Sequence, residues 1–423
     1  MTPPQTVPEK CLSIKPYNMQ KIFFYILILF STLTLHAQIA IKGEKVYTMA
    51  GEPIINGVVL IKDGKIEKVG ASLRIPSNYT VYQAKIVTPG LVDARSVVGL
   101  SGPLNIPIDQ DQLEKSNPIQ PDLRAIDAYN PDDTLIGYLR VNGVTTIHTG
   151  HGVGALVSGQ TMVAKTKPGL IDAVTLAPLE MLAMSLGTSV EANFTSPGTK
   201  SKEIAMLRTE LIKAQVYEKK MSSKDSTKQP SRDLNMEMLV KLLHGEVKAL
   251  ISANTSLDIM SAIRLAREFN LRLVIEGGAE AYRLIDKIKT AGVGIIVHPT
   301  MGRPYGEMAN MTMENAAILT QAGIPVSIES GYEGYVPKTR VVLFEAATAA
   351  ANGLPYEEAL KAITLNPARL LGLDNRIGSI EKGKDGDIVL YDGDPFEYTT
   401  HVCKVFIDGQ LVSDNCQPSE KGQ

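Results

Sequence analysis

The feature that most constrains the fold is an alternation in the middle of the chain, where short apolar runs are separated by helical patterns. The later runs recur at intervals of roughly 22 to 31 residues, a spacing typical of βα units in a parallel sheet. One intervening pattern, residues 257–269, places its apolar side chains on one helical face. The apolar runs cover residues 143–149, 250–254, 273–276, 295–297 and 326–330. This alternation predicts an α/β fold with a (β/α)8 TIM-type barrel over residues 88–374.

Both ends of the chain have a strand-and-turn pattern instead. An Asp-Gly turn at residues 63–64 joins two β-rich runs, and a second one at residues 408–409 joins two more. Asp-Gly between β-rich runs is typical of a tight hairpin. We therefore expect residues 38–87 and 375–423 to pair into one small composite β domain beside the barrel.

A targeting segment is predicted at the N-terminus. The apolar run at residues 22–30 follows Lys21, and the small residue Ala37 ends the segment. A basic start, a short apolar centre and a small residue before the cut are typical of a secretory signal peptide. The run is about half the ~20 apolar residues that a membrane span needs, so no stable membrane anchor is expected. We predict a signal peptide over residues 1–37, in which residues 1–18 form an over-extended start, and an exported protein, periplasmic or secreted.

Composition excludes several classes of protein. The chain has 43 Lys and Arg residues against 45 Asp and Glu residues, a formal net charge of -2. That balance provides no basic field for a nucleic acid, so no nucleic-acid partner is expected. Three cysteines are too few for a disulfide framework.

Two of the cysteines lie close enough in sequence to be considered together. With a two-residue turn, Cys403 faces Asp414 and Cys416 faces His401, so the cysteines are diagonal neighbours at ~7–8 Å. A disulfide usually needs ~4.4–6.8 Å between Cα atoms, so a bridge requires the strand to bend after Val412. Export into an oxidising compartment favours the bridge. We therefore expect a bridge between Cys403 and Cys416.

Several motifs, in order and spacing, resemble the amidohydrolase superfamily, in particular its imidazolonepropionase-like members. They are Pro-Gly-Leu-Val-Asp at residues 89–93, Val-Asn-Gly-Val-Thr-Thr at 141–146, Glu-Ala-Ala at 345–347, Ala-Leu-Lys-Ala-Ile-Thr-Leu-Asn-Pro-Ala at 359–368, and a closing segment at 377–387. The resemblance implies a hydrolase barrel with a composite β domain. It also implies metal-dependent hydrolysis of non-peptide C–N bonds, with zinc in intact members of the family.

The ligand positions that the resemblance implies have lost their ligands in this sequence. The family's first-strand histidines fall on Arg95 and Val97, and its later histidines fall on Ser252 and Gly277. The strand-end Asp position is Gly331. A guanidinium stays protonated and offers no acceptor, so Arg95 cannot bind a metal but is able to fill its charge site. We therefore expect no metal and no cofactor.

A relocated site is the alternative at the barrel mouth. His151 and His298 lie just beyond predicted strands, and Glu276 and Glu329 lie at the ends of two others. Imidazoles and carboxylates of this kind are zinc ligands. However, strand alternation predicts that Glu276 points away from the side of Gly277. We favour the interpretation that these are polar residues lining a cleft or bonded to the backbone, and the catalytic residues are unknown.

Two functions remain open at this point. The first is a non-catalytic binding or partner subunit, in an oligomer of identical subunits or with an intact homologue. The second is an active hydrolase of cyclic amide or peptide-like C–N bonds that uses a non-standard site.

Overall fold

The computed structural model describes residues 38–104, 106–332 and 339–416. The predicted signal peptide, residues 1–37, lies outside the described residues. Within the described part of the chain, no helix is both long enough and apolar enough to cross a membrane.

The strands alternate with helices through the middle of the chain and with turns at its ends. The strands are β1 (Ile39–Val46), β2 (Ile54–Lys62), β3 (Lys65–Ala71), β4 (Thr80–Pro89), β5 (Leu91–Ser96), β6 (Val144–Gly150), β7 (Val157–Lys165), β8 (Thr175–Ala177), β9 (Met181–Ser185), β10 (Lys248–Ala253), β11 (Leu273–Gly277), β12 (Gly294–Val297), β13 (Val326–Ile328), β14 (Ile388–Tyr391), β15 (Val402–Ile407) and β16 (Gln410–Asp414).

Most helices follow strands of the barrel. The α-helices are α1 (Thr134–Val141), α2 (Ile171–Val174), α3 (Thr188–Glu191), α4 (Lys200–Met221), α5 (Leu234–Leu243), α6 (Ser256–Phe269), α7 (Ile285–Ala291), α8 (Asn315–Gln321), α9 (Val342–Ala351), α10 (Tyr356–Ala362) and α11 (Leu365–Leu370). Short 3₁₀ helices cover Pro107–Asp109, Ala125–Asp127, Ser226–Lys228, Ala281–Arg283 and Gly306–Met308.

The predicted helix at residues 257–269 shows why these segments fold locally. The Thr255 hydroxyl accepts a hydrogen bond from the Asp258 N–H, which caps the start of α6. Asn270 ends the helix in the left-handed region, at φ 55°. Ile259 and Phe269 belong to its buried face, and burying each large apolar side chain stabilises the fold by about 1.5–3 kcal/mol.

A nearly closed barrel forms from eight strands, in the order β5-β6-β7-β9-β10-β11-β12-β13, with β8 paired to β7. A parallel bridge between Ser96 and Gly331 joins its two ends. The TIM-type barrel is thus confirmed, with one difference from a regular (β/α)8 pattern. Strand β7 runs antiparallel to both neighbours, β6 and β9. The connection at residues 151–156 is too short for the crossover that a parallel pair needs.

The barrel interior begins with an apolar layer at one end. Buried side chains from six different strands pack there against Ala368 of α11 and Leu371. They are Val92, Ala94, Val163, Met181, Leu250, Val274 and Ile296. Because side chains alternate along a strand, residues two positions further along also point inward, nearer to the opposite mouth.

The two β-rich ends of the chain lie in one seven-stranded sheet, in the order β16-β15-β14-β4-β1-β2-β3. The hairpin between β2 and β3 turns at Asp63 (φ 51°) and Gly64 (φ 77°), the left-handed pair that the Asp-Gly dipeptide favours. The domain boundaries at residues 88 and 375 stay predictions.

The last hairpin differs in register from our expectation. Lys404, not Cys403, pairs with Asp414, and the register shifts between Val405 and Phe406. The irregularity bends the strand end, and Cys403 and Cys416 form a disulfide with 4.6 Å between their Cα atoms. The expected bridge is therefore present, although the predicted facing pairs were wrong.

Candidate functional site

A cavity of about 560 Å³ opens at the carboxyl ends of the barrel strands. The five positions aligned with family ligands all line it: Arg95, Val97, Ser252, Gly277 and Gly331. Three of the four other candidate residues line it as well: Glu276, His298 and Glu329. The structure therefore brings eight of the nine predicted residues to one mouth, and the exception is His151.

Arg95 lines this cavity with a buried guanidinium. Its side chain is 2% exposed, and its Nε donates to Glu276 Oε2 at 3.3 Å. Nη1 donates to the Ser96 carbonyl at 2.8 Å, and Nη2 donates to the His151 carbonyl. The guanidinium therefore joins the end of β5 to β11 and to the loop after β6.

The orientation of Glu276 contradicts our expectation from strand alternation. Its carboxylate points into the cavity and pairs with Arg95. The reason is that Val274, two residues earlier on β11, already points into the barrel interior. Gly277 then leaves the regular alternation, with φ 85°.

The two glycines at aligned ligand positions are closely surrounded. A Cβ at Gly277 would lie 2.5 Å from Asn254 Oδ1, and one at Gly331 would lie 3.0 Å from Pro299 Cγ. Both residues have positive φ, 85° and 66°, which L side chains rarely adopt. The local backbone therefore disfavours an imidazole or a carboxylate at either position.

Glu329 is a buried carboxyl that forms no ion pair with a described residue, although the charge of Arg95 acts on it. It is 5% exposed, and its Oε2 has no hydrogen-bond partner in the described parts of the chain. Burial, and then repulsion from Glu276, raise the pKa of Glu329 well above its ordinary value. The raised pKa favours the protonated form of this side chain, which lines the cavity.

Asp93 fixes the wall behind the cavity. Its Oδ1 accepts from the Ser330 N–H at 3.0 Å and from the Arg95 N–H at 3.2 Å, and its Oδ2 accepts from the Ser330 hydroxyl. Burial raises the pKa of Asp93 to about 6, against the lowering effect of these donors. From the sequence, Asp93 was recognised only as the last residue of the motif at residues 89–93. Its role in the cavity wall was not predicted, because its partner Ser330 is 237 residues away.

His298 lines the cavity, but both of its ring nitrogens are used. Nδ1 lies 2.9 Å from the Pro299 carbonyl, which can only accept, so Nδ1 carries the proton. Nε2 accepts from Asn315 Nδ2 at 3.3 Å. Burial lowers the pKa of His298, so the ring is neutral. The interpretation of a backbone-bonded polar residue describes His298 well.

His151 lies apart from the other candidates. Its imidazole lines a separate cavity of about 330 Å³ together with Asp111 and Asp122. Burial, and then the charge of Arg95, lower the pKa of His151 to about 4. Only its carbonyl, which accepts from Arg95, contributes to the barrel mouth.

Comparison with known proteins identifies the family. The model of the amidohydrolase family matches residues 312–412. A solved amidohydrolase from Thermotoga maritima MSB8 is 30% identical, with a TM-score of 0.83, over 89% of this chain and 100% of that chain. The chain belongs to the amidohydrolase superfamily.

Two curated amidohydrolase relatives match most of this chain. Amidohydrolase tasK of Hapsidospora irregularis is 26% identical over 404 residues, which is 85% of this chain but 40% of that protein. An imidazolonepropionase of Fusobacterium nucleatum is 22% identical over 394 residues, 84% of this chain and 91% of that protein. The chain spans less than half the length of tasK.

Amidohydrolases typically use a metal, and the residues at this mouth do not fit one. A catalytic zinc takes about three protein donors and keeps an open position. Here Arg95 supplies a fixed positive charge, Ser252 is a poor donor, and both nitrogens of His298 are engaged. In the described part of the chain, the only close trio of His, Cys, Asp or Glu side chains is Asp392 with the bridged cysteines Cys403 and Cys416.

Proposed function

We propose that this amidohydrolase-superfamily member is an exported, non-catalytic binding or partner subunit that lacks metal-dependent hydrolysis. The observation that carries the proposal is the Arg95–Glu276 pair. A guanidinium that is 2% exposed occupies the mouth where the family holds its metal, with a carboxylate at 3.3 Å as its counter-charge.

Electrostatics support this reading of the mouth. A divalent cation at this mouth would lie beside the buried positive charge of Arg95, in a confined site where Coulomb repulsion is only weakly screened, and Glu276 is already engaged as the counter-charge of Arg95. Burial, and then repulsion from Glu276, raise the pKa of Glu329, another acid that lines the mouth, which favours its neutral form over the anion that a metal binds. The cavity itself is kept, at about 560 Å³, a size that suits a small ligand.

The experiment is a turnover assay on the purified chain from residue 38 onward. Cyclic amides and dipeptides are offered with and without added zinc, beside an intact imidazolonepropionase as the positive control. We expect no zinc-dependent hydrolysis by this chain. Zinc-dependent turnover that is lost in a Ser252→Ala variant would refute the proposal.

A second candidate is hydrolysis of cyclic amide or peptide-like C–N bonds through a non-standard site, and Glu329 favours it. A buried carboxyl with a raised pKa that lines a cavity can hold a proton and donate it to a leaving nitrogen. Turnover that needs no metal and disappears in Glu329→Gln would support this candidate over the binding role.

Export is the part of the proposal that rests on the N-terminal run at residues 22–30 and on the disulfide. We expect secreted protein to begin at or near Gln38. Intact-mass measurement of the exported chain checks this, and a mass that still includes residues 22–37 would contradict it. A partner would be sought by co-purification with an intact homologue.

A further inference from the structure

A strongly basic groove lies at the end of the barrel opposite to the candidate site. It consists of two adjoining cavities, of about 970 and 470 Å³, that share Arg369 and Leu370 among their lining residues. The groove contains the first residues of β10, β11 and β12, Lys248, Leu273 and Gly294. It is therefore separate from the mouth that holds Arg95.

The groove is lined by basic side chains, although the chain as a whole has a formal net charge of -2. Acidic side chains outnumber basic ones overall, 45 to 43, yet among the residues that the structure describes neither cavity has an Asp or Glu in its lining. Five exposed cations of the lining form no ion pair with any described carboxylate: Arg264, Arg267, Lys287, Lys289 and Arg369. Two further cations, Lys248 and Arg272, have partners in Glu180 and in the Gly245 carbonyl.

Helix ends account for only part of this charge. Arg267, Lys289 and Arg369 lie in the last turns of α6, α7 and α11, where a cation offsets the helix dipole. Each helix end carries roughly half a negative charge at most, so three ends offset about 1.5 charges. The five unpaired cations exceed that, and a positive potential remains in the groove.

The lining also indicates the chemistry of a ligand. Three of the unpaired cations are arginines, whose planar forks match the oxygens of phosphate and carboxylate groups. Apolar side chains, Ile263, Leu271 and Leu370, form the walls between the charges. We propose that the basic groove binds a small organic polyanion that carries phosphate or several carboxylate groups.

The probes for this site are inorganic tripolyphosphate and ATP, titrated calorimetrically into the chain from residue 38 onward, at low and at physiological ionic strength. We expect one site per chain, weakened by salt. ATP should bind more tightly than tripolyphosphate because its base and sugar contact the apolar walls. If neither probe binds at low salt, the proposal is wrong. If both bind with equal affinity, the apolar walls do not contact an organic part of the ligand, and that part of the proposal is wrong.

Paired variants separate the groove from general surface charge. The variant Arg267→Ala/Arg369→Ala should bind each probe about tenfold or more weakly, since the bound probe loses two arginines that donate charge-assisted hydrogen bonds. The matched control, Arg208→Ala/Arg232→Ala, removes the same net charge from exposed arginines that already pair with Glu268 and Glu237. Equal weakening in both variants would refute the site. This result is independent of catalysis at the opposite mouth.

Discussion

Lys165 holds the barrel to the seven-stranded sheet, and replacing it by Met should destabilise the fold by about 3–5 kcal/mol. Its ammonium is 2% exposed on β7 and contacts three carboxylates. Asp385 Oδ2 lies at 2.8 Å, Asp387 Oδ1 at 3.1 Å, and Asp408 Oδ1 completes the set. Removing one partner of a buried pair leaves an uncompensated charge, which costs more than the pair itself contributes.

The three carboxylates do not depend equally on Lys165. Asp385 keeps Lys65 and Arg376, and Asp408 keeps Lys167. Asp387 loses the one cation that it contacts among the described residues and keeps only the Asp408 N–H, at 2.8 Å. The loss in free energy of unfolding should therefore come mainly from Asp387.

The destabilisation caused by Lys165→Met depends on pH. In the wild type, burial alone would raise the pKa of Asp385, but Lys165 and its other cations hold it at about 2. That depressed pKa stabilises the fold above the ordinary range of Asp, and the contribution fades as pH falls toward 2. In Lys165→Met, Asp387, whose pKa burial already raises, takes up a proton on acidification. The difference from wild type should shrink as the pH falls below neutral, because protonation removes the unpaired charge of Asp387 in the variant.

Urea unfolding followed by circular dichroism measures the effect as a shift in midpoint at unchanged slope. Lys165→Met/Asp387→Asn should recover part of the loss, because it removes the unpaired charge. Lys167→Met is the control: its side chain is 24% exposed and, within the described part of the chain, pairs with Asp408 alone, so it should cost less than about 1 kcal/mol. If Lys165→Met lowers the free energy of unfolding by less than about 1 kcal/mol, or the double variant recovers none of the loss, an uncompensated Asp387 is not the cause of the defect.

Two other predictions concern the disulfide and the glycines of the mouth. Cys403→Ser should lower the free energy of unfolding by about 2–4 kcal/mol, since it opens the loop closed with Cys416, and reductant should have no further effect on the variant. An unchanged urea midpoint would show that the bridge contributes nothing. Gly277→Ala should cost more than Gly292→Ala, because both positions have positive φ but only the first would place Cβ 2.5 Å from the Asn254 amide. The matched Gly292 variant meets nothing within 4 Å, so it should show only the backbone cost of about 1–2 kcal/mol, and equal midpoints would contradict the contact.

Local patterns predicted the elements well because their causes are local. The hairpin at Asp63 follows from the left-handed conformation that Asp-Gly allows, and α6 follows from its apolar face and its Thr255 cap. The reversed direction of β7 was missed, since it depends on a loop too short for a crossover rather than on the strand's own residues.

Long-range features of the site were predicted less well. That most of the candidate residues lie at one mouth could be predicted, because the carboxyl ends of the strands meet at one face of a barrel. The partners of Lys165 lie 220 to 243 residues away, so no local pattern reveals them. The predicted orientation of Glu276 was wrong because the alternation of side chains was counted from Gly277, whose positive φ breaks that alternation. The inward-pointing Val274 was the better reference.

The zinc content of the purified chain shows whether the mouth still binds a metal. Protein from residue 38 onward is incubated with excess zinc, freed of unbound metal by gel filtration, and analysed for zinc per chain by elemental analysis. With Arg95 at the mouth paired to Glu276, we expect well under one zinc per chain. A tightly held zinc at one per chain, lost on replacing His298 or Glu329 by Ala, would contradict it.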